Sequence, residues 1–198
     1  MPVDGTEVFN VERVLPLDAG GLIDPILTVY SQALMPPPYS KSIADVQMFA
    51  SILESHMSRE GFRLFVAKVG GDLVGFTYGC SSRPGGWWRD RVADALGTEL
   101  ARGWLTDAFE FTELAVCPSH EGRGIGSALH DSLLEGVSAR TAVLSTLQEP
   151  TRGLQLYGRK GWETLVEDLW FGGTPAPYRV MGLRLGSDAG SREGSSLR

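Results

Sequence analysis

The sequence predicts a single α/β (α+β) domain. Strand-like and helix-like apolar patterns interleave along nearly the whole chain. Two strand patterns, Phe62–Val69 and Leu73–Cys80, meet at Gly70-Gly71-Asp72, a hairpin turn. Residues 109–137 read as strand, glycine turn and helix. With 198 residues, 42% hydrophobic and 21% charged, the chain carries enough apolar material for one sizeable core.

Taken in order, Val8–Leu15 is a first strand, with Phe9, Val11 and Val14 as its apolar members. Pro16–Gly21 reads as a turn. Asp24 then caps a helix with Pro25 at its first helical position, because proline lacks only an N–H that the first turn does not use. Ile26, Leu27, Val29, Tyr30, Ala33 and Leu34 give this helix a broad apolar face, and Pro36-Pro37-Pro38 stops it. Val46, Phe49, Ala50, Leu53 and Met57 place a second amphipathic helix at Asp45–Ser58, with His56 beside the stripe as a surface or satisfied histidine.

After the hairpin, residues 81–108 form an insertion longer than a strand connection needs. Trp88, Val92, Ala95, Leu96 and Leu100 recur at helical spacing there. This helix is either packed on a sheet edge or a lid with Trp87, Trp88 and Trp104 as walls. Further on, Arg140–Thr146 reads as a strand and Thr151–Lys160 as a short helix, capped by Thr151 or ended at Gly161. Trp162–Trp170 and Arg179–Leu185 read as the last strands, joined by Gly172–Tyr178. The domain is expected to span 1–186, with its helical insertion at about 81–108; residues 187–198, Gly, Ser and charge almost throughout, are expected to be a disordered tail.

Composition narrows the partners. A net charge of −6 leaves no basic footprint for nucleic acid and weakly favours cationic acceptors. Cys80 and Cys117 both end apolar strand patterns and read as buried reduced thiols. Met1–Asn10 has neither a basic region nor an apolar run, and no stretch approaches the ~20 apolar residues of a membrane span. A cytoplasmic protein without membrane contact is the expectation. The three histidines and two cysteines are scattered, so no metal site is expected.

Phe109–Val116 is a strand carrying two interleaved carboxylates, and Pro118 ends it. Gly122, Gly124 and Gly126 follow, and a helix over Gly124–Val137 opens behind them, with Ile125, Leu129 and Leu133 on one face. Such a turn gathers unpaired backbone N–H groups at the positive end of a helix dipole, where a phosphate or pyrophosphate binds well. The Lys-Ser/Thr of a P-loop is missing, and the spacing does not fit the Rossmann glycine pattern.

The run Glu121-Gly122-Arg123-Gly124-Ile125-Gly126 resembles the acyl-CoA signature Gln/Arg-x-x-Gly-x-Gly/Ala of the GCN5-related N-acetyltransferase (GNAT) family. Downstream, Tyr157-Gly158-Arg159-Lys160-Gly161-Trp162 resembles the family's Tyr-x-x-x-Gly-Phe. The resemblance covers about residues 8–185 and is strongest over 109–163. It implies a mixed, mostly antiparallel sheet, splayed between strands four and five and flanked by helices. It also implies acetyl-CoA as co-substrate, a small-molecule or peptide amine as acceptor, and a fold that commonly forms homodimers. Pantetheine and the acetyl carbonyl would lie along the backbone of Leu114, Ala115 and Val116. The pyrophosphate would meet the amides of Gly122, Arg123, Gly124, Ile125, Gly126 and Ser127. Arg123, Arg152, Arg159 and Lys160 are candidates for the ribose phosphate.

The sequence departs from the family at Glu121, an acid where Gln or Arg is preferred; its side chain is expected to point outward. It departs again near the start of the fourth helix, where an Asn is usual and only Gln148 or Thr151 could substitute.

Acyl transfer from a thioester to an amine needs a deprotonated amine, a polarised carbonyl and a protonated leaving thiolate. An alkylamine has a pKa near ~10, so a base helps at neutral pH. By resemblance Glu113 occupies a position that carries the base in several members; burial there would raise its pKa toward a useful range. The alternative is a rim carboxylate that positions a cationic substrate. Glu110, three residues earlier, falls on the opposite face unless a bulge intervenes, and reads as a solvated or partly buried strand residue. Ser145, where some members place a glutamate, cannot act as a base. Tyr157 is the candidate donor to the leaving thiolate, against a core tyrosine as the plain reading. The expected function is therefore acetyl transfer to a primary amine in a ternary complex. The alternatives are a longer acyl donor or an acyl-CoA-binding module without turnover.

Overall fold

A computed structural model of the chain describes residues 8–172 and 174–186. The expected tail at 187–198, and most of the N-terminal stretch, lie outside the described residues. The elements in order are β1 (Phe9–Val14), α1 (Pro16–Ala19), α2 (Ile23–Leu34), α3 (Ile43–Met57), β2 (Arg63–Val69), β3 (Asp72–Ser81), α4 (Trp87–Leu105), β4 (Ala108–Val116), α5 (Ile125–Leu134), β5 (Thr141–Leu147), α6 (Arg152–Arg159), β6 (Glu163–Leu169) and β7 (Tyr178–Arg184).

They form one seven-stranded sheet, ordered β1-β2-β3-β4-β5-β7-β6. All neighbours are antiparallel except β4 and β5, which run parallel and pair only over Ala108–Glu110 with Thr141–Val143. Beyond that short ladder β4 continues to Val116 and β5 to Leu147 without pairing, so the sheet is split down its middle.

The split begins at a β-bulge. Tyr78 faces Glu113 and Gly79 faces Phe111, which leaves Thr112 as an extra residue in β4. A bulge bends its strand and sharpens its twist. This one falls immediately after Glu110, the last residue of β4 paired with β5, so β4 turns away from its neighbour there. Gly79 makes the bend possible. A Cβ at this position would lie 2.4 Å from the Glu110 carbonyl oxygen and 2.5 Å from the Phe109 ring. Gly79→Ala is expected to cost about 3 kcal/mol through this overpacking. The check is a urea midpoint that falls while the slope of the transition stays unchanged.

Helices cover both faces. On one, which we call the front, α2 packs over β3 and β4, and α4 lies over β5 and β6; α5 covers β2 and β3 behind. Ile26, Val29, Phe49, Leu53, Phe76 and Tyr78 belong to the main core, which also takes in Ile125, Leu129 and Leu133 of α5. A second cluster, Val92, Leu96, Trp104, Leu105, Val143 and Val180, seats α4.

Several local expectations need correction. Pro16–Gly21 is not a simple turn: Pro16–Ala19 is helical and Gly20–Leu22 a 3-10 turn that leads into α2. Asp24 therefore sits inside the first turn of α2, where its charge suits the helix dipole, rather than at the cap. The second helix starts earlier than Asp45, because Ser42 and Asp45 close a capping box. α5 stops at Leu134 rather than Val137, since Gly136 adopts φ 67°. The inserted helix is real but bends at Gly97, whose φ of 71° breaks the helical run.

Candidate active site

β4 supplies the centre of the site. Because of the bulge, Glu110 faces Cys80 and Glu113 faces Tyr78, and Cys80 and Tyr78 lie two apart on β3. The two carboxylates therefore share the front face, against the opposite-face expectation for three-residue spacing. Glu110 is also not solvated: it is 5% exposed, lies 3.0 Å from Arg59 and accepts from Ser82 at 2.9 Å. Burying this side chain without such partners would leave its oxygens unsatisfied.

Glu113 stands further along, where β4 has left β5. It is half-buried in the cleft, and desolvation pushes its carboxyl up to about 7, against smaller lowering effects from Lys41 and the Leu114 N–H. Leu114 N donates to Glu113 Oε1 at 3.3 Å, and Thr77, fully buried, donates to the Glu113 carbonyl at 2.8 Å. Tyr30 of α2 and Tyr39 of the following connector sense the Glu113 charge, though burial is the larger cause of their raised pKa values. Tyr39 also comes up to α6: a Cβ on Gly153 would lie 3.5 Å from its hydroxyl oxygen and 3.6 Å from Oγ1 of Thr151, the buried N-cap.

The far wall comes from the inserted helix and β7. Trp88 Nε1 donates to Ser145 Oγ at 2.9 Å. Trp87 packs on Phe171 at 5.6 Å, and Phe171 meets Tyr178 edge-on at 5.3 Å. Trp104 behaves differently from its two neighbours in the expected lid. It is buried against β7, where a Cβ on Gly182 would lie 2.6 Å from its ring. The insertion therefore packs on the sheet along both halves, through Val92 and Leu96 before the bend at Gly97 and through Trp104 and Leu105 after it.

Behind the split, Tyr157 sits in an aromatic box of Phe111 at 5.8 Å, Trp162 at 5.7 Å and His130 at 6.5 Å. Burial and then the Glu113 charge raise its phenol well above the ordinary value, so it stays protonated. Among the described residues no group bonds its hydroxyl. His130, passed over in the sequence, closes the box. Trp162 Nε1 donates to His130 Nε2 at 2.8 Å, His130 Nδ1 lies 2.9 Å from Asp131, and Lys160 holds Asp131 at 2.6 Å.

The glycine turn lies between β4 and α5. Gly122 and Gly124 take φ 75° and 85°, and Gly124 is the N-cap of α5. Glycine adopts such angles without strain, and the first turn of a helix carries N–H groups that the helix itself does not use. A Cβ on Gly126 would be 3.8 Å from Leu114 and Val116, which sets the turn directly beside β4. Glu121 is exposed and pairs with Arg152 at 2.8 Å, so its charge is met by the first residue of α6. Of the other cations weighed for a phosphate, Lys160 is committed to Asp131. Gln148 is engaged with Asp168. Both cysteines are free and buried. Among the described residues no His, Cys, Asp and Glu group is arranged to hold a metal ion, and no helix is long and apolar enough to cross a membrane.

The site thus lies in a mixed sheet opened between its parallel central strands, with a glycine turn at the opening. The profile of the acetyltransferase (GNAT) family matches residues 27–162, and the chain belongs to that family, whose members use acetyl-CoA. It is 34% identical over 122 residues to the GCN5-like protein acetyltransferase Rv2170 of Mycobacterium tuberculosis; the match covers 57% of this chain and 59% of that relative. The chain thus spans about three-fifths of the length of that relative.

Among solved structures, the ribosomal-protein-S18-alanine N-acetyltransferase of Escherichia coli superposes with a TM-score of 0.60 at 15% identity, over 96% of this chain and 99% of that one. The acetyltransferase YncA of Salmonella typhimurium, solved with its cofactor acetyl-CoA, gives 0.60 at 12%, over 92% and 96%. PH1933 of Pyrococcus horikoshii gives 0.62 at 19%, over 90% and 99%. At these identities the likeness is one of fold.

Proposed function

We propose that this chain, with residues 1–186 as its transferase domain, moves the acetyl group of acetyl-CoA directly to a primary amine within a ternary complex. One observation carries the reading. Glu113, a carboxylate raised to about 7, stands where β4 parts from β5, on the strand that leads into the glycine turn. In this reading the pyrophosphate sits on the amides of Gly122–Ser127. The pantetheine arm runs along Leu114, Ala115 and Val116, whose β5-facing side has no ladder partner. Arg152 answers the objection that Glu121 would repel an anion there.

Glu113 removes a proton from the bound ammonium. The amine nitrogen attacks the thioester carbonyl, the C–S bond breaks, and the nitrogen's surplus proton passes to the leaving thiolate, which the Tyr157 hydroxyl stabilises until it departs as the thiol. A phenol that stays protonated keeps the hydrogen that this task needs. The Mycobacterium tuberculosis relative is named a protein acetyltransferase, so lysine side chains and N-termini of proteins belong beside small amines as acceptors to be tried.

Calorimetric titration with acetyl-CoA is the test. A dissociation constant on the order of micromolar, with CoA competing, is expected. Absence of binding would overturn the cofactor reading. Binding without CoA release across small amines and protein acceptors would overturn the transfer.

A further inference from the structure

A partly buried polar chain runs along the front of β3 and β4 and ends at Tyr78, the residue of β3 that pairs with Glu113. Ser82 Oγ donates to Glu110 Oε1 at 2.9 Å, and Arg59 Nη1 lies 3.0 Å from Glu110 Oε2. The same nitrogen lies 3.4 Å from His56 Nε2, and His56 Nδ1 is 3.3 Å from the Tyr78 hydroxyl. Tyr78 is 1% exposed. None of these groups has a part in the chemistry above.

The hydrogen positions follow from what each group can do. A guanidinium only donates, so His56 Nε2 accepts. A neutral imidazole then carries its hydrogen on Nδ1, and the ring is neutral because burial, with Arg59 nearby, pushes its pKa down to about 4. Nδ1 therefore donates to the Tyr78 oxygen, and the phenol's own hydrogen is left to point elsewhere. Tyr78 is the cross-strand partner of Glu113, on the same face. No direct bond joins them; the O–H dipole acts across the space between, in a site of low effective dielectric.

We propose that His56 is a positioning residue for acyl transfer: held by Arg59 as the Nδ1–H tautomer, it turns the Tyr78 hydroxyl so that its hydrogen stabilises the Glu113 carboxylate. The proposal rests on Glu113 being the base. The groups facing Glu113 are Lys41 and Tyr39 from the α2–α3 connector, Tyr30 from α2, Tyr78 from β3 and Tyr157 from α6. Lys41 favours the ionised form, as does Tyr78 in this arrangement. Of the four phenols, Tyr78 alone is held by a ring nitrogen.

Two measurements on the full chain test this. Long-range proton–nitrogen correlation spectra of protein labelled with ¹⁵N-histidine, with His56→Phe identifying the signals, should show His56 protonated at Nδ1; the Nε2–H tautomer would overturn the proposal. In the pH profile of kcat/KM, Tyr78→Phe should raise the midpoint of the acid limb by about half a unit or more, and His56→Phe should move it the same way. A lower plateau with the limb unmoved would mean a structural role only. Glu113→Gln separates the two ideas. Turnover retained there overturns the base reading and this proposal with it. Turnover lost there, with an unmoved limb in Tyr78→Phe, overturns this proposal alone.

Discussion

Glu113→Gln is expected to lower kcat/KM by about 10²–10⁴-fold while acetyl-CoA binds as before, the range associated with loss of a general base. The substitution keeps shape and hydrogen bonding but can accept no proton. The wild-type profile should lose activity as pH falls through about 7, the value to which burial lifts this carboxyl, and the variant should lack that limb. Stability should move the other way. The ordinary value of 4.5 applies to the unfolded chain, so the folded-state pKa is the higher one. Its contribution to stability is complete below the unfolded value and is lost as pH rises through about 7. At pH 8 the Gln variant is therefore expected to unfold later than wild type, by on the order of 1–3 kcal/mol. Slower turnover with greater stability at pH 8, and no such gain at pH 4, is the paired result that marks a buried functional carboxylate. A rim carboxylate that only attracts a cationic acceptor would raise KM and leave kcat in place.

Tyr157→Phe is expected to lower kcat by about 10²-fold, the effect of removing one donor to developing negative charge. The ring should stay seated, because Phe111, Trp162 and His130 hold its faces and edges and make no use of the hydroxyl. Denaturant midpoints should therefore barely change, and the cofactor dissociation constant should be kept. Donors whose leaving thiolate is less basic should be affected least, since they need the least help. An unchanged kcat would return Tyr157 to the plain role of a core tyrosine.

Much of this was legible because apolar period and turn chemistry act locally. The alternating run at 109–116, the glycines behind it and the Tyr157–Trp162 segment each announce their element from a few residues, whereas the start of α3 was placed at Asp45 because the apolar stripe, not the Ser42 cap, set the boundary. What escaped depends on the partner strand. Nothing in Glu110-Phe111-Thr112-Glu113 says that two residues will face one glycine, so the shared face of the carboxylates required Gly79 and its register. The burial of Glu110 likewise depends on Arg59, distant in sequence and delivered by the end of α3. Trp87, Trp88 and Trp104 look alike in a helical pattern; the bend at Gly97 helps send them to different surroundings. The place of His130 depends on contacts distant in sequence: Trp162 donates to it, and Lys160 holds the neighbouring Asp131.

The extra residue in β4 also sets how this gene can drift. Exchanging the side chain at Thr112 alters one contact on the strand, whereas losing three in-frame nucleotides there would remove the bend. The straightened strand could then keep its pairing with β3 and go on pairing with β5 past Glu110. The sheet would heal, and the route proposed for the pantetheine arm would be sewn shut by backbone hydrogen bonds. Around this position, length is the inherited trait that matters most, and chemistry comes second.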